Sequence, residues 1–112
     1  MKSADIDRFR ARLVACRDEL VALSAASAQS RKPVELDQQS VGRLSRQDAL
    51  QQQAMANAQE ARRSLDLKKI EAALQRIEAG DFGYCEDCGE AIARRRLDID
   101  PTARLCVDCA AG

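Results

Sequence analysis

Residues 84–109 read YCEDCGEAIARRRLDIDPTARLCVDC, and this stretch decides how the rest of the chain is read. It holds two CxxC pairs, Cys85/Cys88 and Cys106/Cys109, separated by 17 residues. Two residues between thiols let one tight turn aim both sulfurs at a single tetrahedral ion, and the longer spacer suits a small hairpin or helix that returns the second pair. Gly83 and Gly89 flank the first pair, where unusual backbone angles are often required. Four protein thiolates leave no open position for water, so such a site supplies folding energy rather than Lewis-acid catalysis. The expectation is one structural Zn²⁺ on Cys85, Cys88, Cys106 and Cys109. The competing readings are two disulfides, which a reducing compartment disfavours, and a redox-active pair. The redox reading needs a CxxC that opens a helix after a buried strand, and no strand pattern precedes Cys85.

The composition points to helices. Only 3% of the 112 residues are aromatic, there is no Trp or His, and Ala, Leu, Gln, Arg and Glu dominate. Lys plus Arg and Asp plus Glu each total 18, a balance unlike that of a general polyanion binder. Four thiolates on one Zn²⁺ would lower the net charge by about two more. The first residues, MKSADIDRFR, contain no apolar run, so neither a signal peptide nor a membrane span is expected, and the expected compartment is the cytoplasm.

A first helix is expected after Ser3, read as its N-cap, with Asp5 and Asp7 in the first turn. Ile6, Phe9, Leu13, Cys16, Leu20 and Leu23 alternate 3,4 spacing, a coiled-coil seam in which Cys16 is a small buried thiol rather than a redox sensor. That helix fades in SAASAQS and stops before Pro33. A second helix is expected from a Ser45/Asp48 capping box to Ala79, with Gly80 ending it. Its apolar positions fall in two stripes, Leu50, Ala54, Ala58, Ala61, Leu65 and Leu67, Ile70, Leu74, Ile77. An alanine-rich seam buries little area, which makes the half farther from the cysteines the less stable half. The predicted fold class is mostly α: residues 1–79 form a long antiparallel helical hairpin, or coiled coil, with its tip at about 29–44, and residues 80–112 form a small four-cysteine zinc-finger module.

The finger resembles that of the DksA/TraR C4-type zinc-finger proteins. The resemblance rests on Cys85-Glu86-x-Cys88, Ile92, Arg96, Pro101 and Cys106-x-x-Cys109, preceded by GDFGYC. It is specific over 80–109, looser over 45–79, and limited to general character over 1–44. It implies a bacterial transcription regulator that binds RNA polymerase directly and does not contact DNA. In that family the hairpin tip enters the secondary channel and destabilises open promoter complexes, and many members act with ppGpp in the stringent response. No catalytic constellation is present in the sequence, so no enzyme is expected, and neither is a membrane partner; a monomer is expected.

Departures from the family pattern are informative. Its DxxDxA tip motif aligns without gaps on Gly42, Ser45 and Gln47, so it is not reproduced; Asp37, Asp48 and Ala49 lie nearby as alternative tip residues. Lys69 matches a basic ppGpp contact and Arg96 belongs to the finger signature, which makes both candidate contacts to polymerase or ppGpp. Asp100 and Ala110 replace two further basic positions and remove much of a phosphate pocket's attraction. The bland alternatives are that Asp37 solubilises a turn, Asp48 caps a helix, and Lys68 and Lys69 cover the hairpin side with their alkyl stems. Arg94-Arg95-Arg96 lies among Glu90, Asp98 and Asp100, which fits a solvated face or a protein contact better than a DNA patch. The competing functions are a zinc module that binds nucleic acid or another protein, and a thiol redox protein.

Overall fold

The computed structural model describes residues 1–31 and 43–112, and the architecture is mostly helical. Among the described residues five helices follow one another: α1 (Ser3–Ala26), α2 (Ala28–Arg31), α3 (Arg43–Ala79), α4 (Arg94–Ile99) and α5 (Val107–Ala111). Among the described residues the only β feature is an isolated antiparallel bridge between Tyr84 and Ala91. The chain folds into two compact units, one made of Met1–Asp18 with Leu67–Gly112, the other of Glu19–Asp66. The start of α1 thus shares a unit with the end of α3, as an antiparallel pairing requires.

The helix boundaries follow local chemistry with small shifts from expectation. The amides of Asp5 and Ile6 both bond to the Lys2 carbonyl, at 3.0 and 3.1 Å, so the capping position is Lys2 and Ser3 already lies inside. Helix α3 begins at Arg43, because Arg43 and Leu44 are good helix formers, and Ser45 sits within the first turn instead of at its edge. The other end matches expectation. Gly80 takes φ 80°, its amide bonds to Ile77 at 3.2 Å, and the Asp81 amide bonds to Arg76 at 2.8 Å. That pair of bonds is a Schellman cap, and its left-handed residue is strained for any side chain with a Cβ.

The unit containing the cysteines holds most of the apolar core. Phe9 and Leu13 from α1, Ile70, Ala73 and Ile77 from α3, and Phe82, Cys85, Ile92, Leu97 and Ala103 beyond it are all buried. Phe9 and Phe82 meet at 5.5 Å between ring centroids with planes tilted by 50°, a favourable aromatic geometry. Charged side chains bind the rim. Arg12 donates to the Asp98 carbonyl at 2.6 Å, Arg94 pairs with Asp5 at 2.9 Å, and Arg10 pairs with Glu78 at 3.6 Å.

The Glu19–Asp66 unit is built differently, and here the structure corrects the sequence reading. Ala56 is its only buried apolar side chain among the described residues, whereas Val21, Leu23, Leu50, Met55 and Leu65 are all about half exposed or more. The Leu67–Ile77 stripe faces inward as expected. Continuing its 3,4 phase backward along α3 reaches Arg63, Glu60, Ala56, Gln53, Ala49 and Arg46, which are the partly or fully buried positions. Leu50, Ala54, Ala58, Ala61 and Leu65, expected as a seam, are exposed. Within 46–63 the inward face is the one whose polar side chains find partners on α1, not the one with the larger apolar side chains. On α1 the inward positions after Leu13 run Arg17, Leu20, Ser24 and Ser27, which leaves Cys16 and Leu23 exposed. The expected burial of Cys16 is therefore not what the fold adopts.

Polar groups fill the space that the apolar stripe leaves. Ser24 Oγ lies 2.9 Å from both Glu60 carboxylate oxygens. Arg63 donates to Glu60 at 3.1 Å and to Ser27 Oγ at 2.9 Å. From α2, Arg31 donates to Ser27 Oγ at 3.1 Å and to the Ser24 carbonyl at 2.8 Å, and its guanidinium lies 3.7 Å from Glu60.

Candidate metal centre

The first cysteine pair is shaped by a turn and a short return of the backbone. The Gly89 amide bonds to the Cys85 carbonyl at 3.0 Å, and the Cys85 amide bonds to Glu90 at 2.8 Å. Gly89 takes φ 76°, the conformation the turn needs and other residues resist. The Ile92 amide bonds to Gly83 at 2.7 Å, so residues 83–92 double back on themselves. Cys106 stands at the N-cap of α5 and Cys109 lies one turn on, a spacing that puts both sulfurs on one side of the helix. Between the pairs, Asp100 closes a turn: its carboxylate accepts from the Thr102 amide at 3.0 Å and from the Thr102 hydroxyl at 2.6 Å.

The four cysteine sulfurs converge within 4.8 Å of one another, as the spacing predicts. Cys88 Sγ and Cys106 Sγ are 3.7 Å apart. Zinc–sulfur bonds of about 2.3 Å place the corners of a tetrahedral site about 3.8 Å apart, so the geometry fits that ion. Cys85 is buried, Cys106 and Cys109 are half-buried, and Cys88 is exposed.

The electrostatics of the cluster also call for a cation. Backbone amides of Cys106 and then Cys88 donate to Cys85 and hold its thiol down at about 6, while burial works the other way. Cys109 is pushed upward, first by the thiol of Cys106 and then by those of Cys85 and Cys88. For Cys88 the Glu90 amide lowers the value, but neighbouring Cys85, burial and Cys106 together raise it. One thiolate is prepared by amides, and Cys88 and Cys109 resist further negative charge beside it. A divalent ion removes that conflict and ionises all four.

Arginines secure the module through carboxylates and backbone carbonyls. Arg76, one turn before the end of α3 and only 13% exposed, pairs with Glu86 at 3.3 Å and donates to the Thr102 carbonyl at 3.3 Å. Arg104 meets Glu86 from the other side at 3.4 Å, and the Glu86 amide bonds to the Arg104 carbonyl at 2.9 Å. Arg96 donates to the Leu105 carbonyl at 3.0 Å, just before Cys106. Sequence reasoning missed Arg76, Arg12 and Asp5 as supports of the module, because nothing local distinguishes them from other charged residues on amphipathic helices.

The remaining site residues are dispersed. Lys69 is exposed on α3, as are Gln47 and Asp48, and Ala49 is half-buried. Ser45 lies in the first turn of α3, whereas Asp37 and Gly42 fall outside the described residues. No helix among the described residues is long and apolar enough to cross a membrane.

Fold and thiol cluster together define a helical protein carrying one structural C4 zinc site. Residues 80–112 match the family described as the prokaryotic dksA/traR C4-type zinc finger. A solved structure of transcription factor DksA2 from Pseudomonas aeruginosa superimposes with a TM-score of 0.80 at 30% identity, over 99% of this chain and 84% of that one. The chain belongs to the DksA/TraR family. Over 43 residues it is 58% identical to the RNA polymerase-binding transcription factor DksA of Haemophilus influenzae, a match covering 38% of this chain and 30% of that protein. The same-named protein of Escherichia coli K12 matches equally well over 43 residues, 28% of its own length. The match thus spans less than a third of these curated relatives.

Proposed function

We propose that the protein is a transcription regulator that binds bacterial RNA polymerase directly, places the tip of its helical hairpin in the secondary channel, and modulates initiation without sequence-specific DNA contacts. The observation that carries this reading is the likeness to DksA2, which extends over 99% of the chain and so includes the helices as well as the finger. In this reading residues 1–79 are the hairpin, with its tip at about 29–44, residues 80–112 are the finger that anchors its base, and the protein acts in the cytoplasm as a monomer. The zinc is structural and the protein performs no catalysis.

Asp37, Gly42, Ser45, Gln47, Asp48 and Ala49 are the tip residues proposed to reach the polymerase active centre. The exposure of Asp48 supports its part in this set. Lys69 is free to meet the polymerase surface, whereas Arg96 is committed to the Leu105 carbonyl and acts through the shape of the finger. Asp100 replaces a basic family position and spends its carboxylate on Thr102, which argues for weak alarmone attraction at that place.

The test is competition of the zinc-loaded protein with a known secondary-channel factor for purified core polymerase, followed by transcription with the Asp37→Ala/Asp48→Ala variant. Competitive binding, with regulation lost in the variant, is expected. Failure to bind at micromolar protein would refute the polymerase reading. Unchanged regulation by the variant would remove both acidic residues from the mechanism.

A further inference from the structure

The Glu19–Asp66 unit has the reverse of the usual arrangement. Among its described residues the inward positions include Ser24, Ser27, Arg31, Glu60 and Arg63 beside Leu20 and Ala56, while Val21, Leu23, Leu50, Met55 and Leu65 point outward. Of the eleven buried apolar side chains among the described residues, ten belong to the other unit and Ala56 alone to this one. Among the described residues, closing α1 onto α3 here therefore removes little apolar surface from water. Opening costs little by that route, since Val21, Leu23, Leu50, Met55 and Leu65 are about half exposed or more already.

What joins the helices is a hydrogen-bonded layer whose members depend on one another. Glu60 accepts from Ser24 and Arg63, Ser27 Oγ accepts from Arg63 and Arg31, and Ser27 donates onward to the Ser24 carbonyl at 3.2 Å. The side chains of Arg31, Glu60 and Arg63 are only 28%, 25% and 14% exposed. Such a network, complete, exchanges water contacts for protein contacts at nearly equal free energy; with one member gone, half-buried partners are left unsatisfied.

We propose that this layer is a latch. The pairing of α1 and α3 within Glu19–Asp66 opens as a local unit while the core around Phe9, Leu13 and Ile77 and the zinc module stay folded, and the layer sets how often it opens. Segments held by few apolar contacts open with free energies far below that of global unfolding, and isolated helices of this length are marginal in water, so opening exposes their amides. The alanine content of α3 is not the cause, because the alanine stripe faces outward. For any partner that grips the closed arm, apparent affinity falls by the fraction closed.

Amide hydrogen exchange on the full zinc-loaded chain tests this independently of polymerase. Amides of 20–26 and 46–64 are expected to exchange at least about tenfold faster than those of 67–79. Glu60→Gln, which weakens the layer without changing its size, should speed exchange in the first two segments by about fivefold and leave 67–79 unchanged. Glu60→Leu combined with Arg63→Leu, Arg31→Met and Ser24→Ala should slow it, because no charged member is left unpaired and an apolar layer of similar volume closes at little desolvation cost. Protection as high in 20–26 and 46–64 as in 67–79 would overturn the proposal. So would rates indifferent to Glu60→Gln, which would indicate simple fraying from the helix ends.

Discussion

Phe9 lies more than 70 residues from the first zinc-site cysteine in sequence, yet its replacement by alanine should weaken zinc binding. The ring is 5% exposed and rests against Phe82, three residues before Cys85, while the Arg94 guanidinium lies 5.9 Å from its centroid. Removing a buried phenyl group costs about 3–5 kcal/mol, and Arg94 is long enough to collapse into part of the gap, so the lower figure applies. The unfolded finger has no preformed tetrahedral site, so the free energy of folding and that of zinc binding are linked. A loss of about 3 kcal/mol then appears as about a hundredfold weaker apparent zinc affinity. The assay is competition with a chromophoric chelator at fixed pH, with Phe9→Leu as the control that keeps most of the volume. Zinc affinity of Phe9→Ala within about threefold of the parent would refute the coupling and show that the finger folds without support from α1.

Four more outcomes follow from the same geometry. Elemental analysis should give one zinc per chain, and chelation should release it with loss of the fold around Phe82, Ile92 and Leu97; a finger that keeps its tertiary contacts without metal would contradict the structural assignment. Leu65→Ser should change stability by less than about 0.5 kcal/mol, because Leu65 is 55% exposed, whereas a seam leucine would cost about 2–5 kcal/mol; urea unfolding separates the two, and Cys16 should be the one thiol that reacts quickly in the zinc-loaded protein. Glu60 is held below the ordinary carboxylate value, first by the Ser24 hydroxyl and then, against partial burial, by Arg63 and Arg31. Its contribution is therefore present above the unfolded value of 4.5 and lost as pH falls through the lower folded value. Helix pairing in the Glu19–Asp66 unit should be indifferent to pH between neutrality and about 5 and weaken only in acid, and Glu60→Gln should flatten that acid dependence.

How far the chain can be read before folding depends on the range of the interactions involved. Cys85 and Cys88 share one turn, Cys106 and Cys109 one helical turn, and Gly80 caps the helix it ends, so spacing alone announces the zinc site and the end of α3. The Leu67–Ile77 stripe is equally legible, because four large aliphatic side chains at 3,4 spacing admit one inward face. The first half of α3 is not legible in this way. Two faces compete there, Leu50 to Leu65 and Arg46 to Arg63, and the more apolar one loses. The choice follows the partners that Glu60 and Arg63 find on α1, the hydroxyls of Ser24 and Ser27. On α1 the exposure of Cys16 is equally illegible, since its place in the 3,4 pattern is as regular as that of Leu13.

Sequence by itself thus determined the metal, its ligands and the helical class, since these rest on residues within a turn of each other or on a repeated period. Tertiary structure decided which helix face turns inward between residues 46 and 63, and which charged residues hold the finger. Arg12 reaches Asp98 across 86 positions, and Arg76 reaches Thr102 across 26. At such separations no local pattern marks a partner, because any guanidinium on an amphipathic helix looks alike until the chain has brought a carbonyl or carboxylate to it.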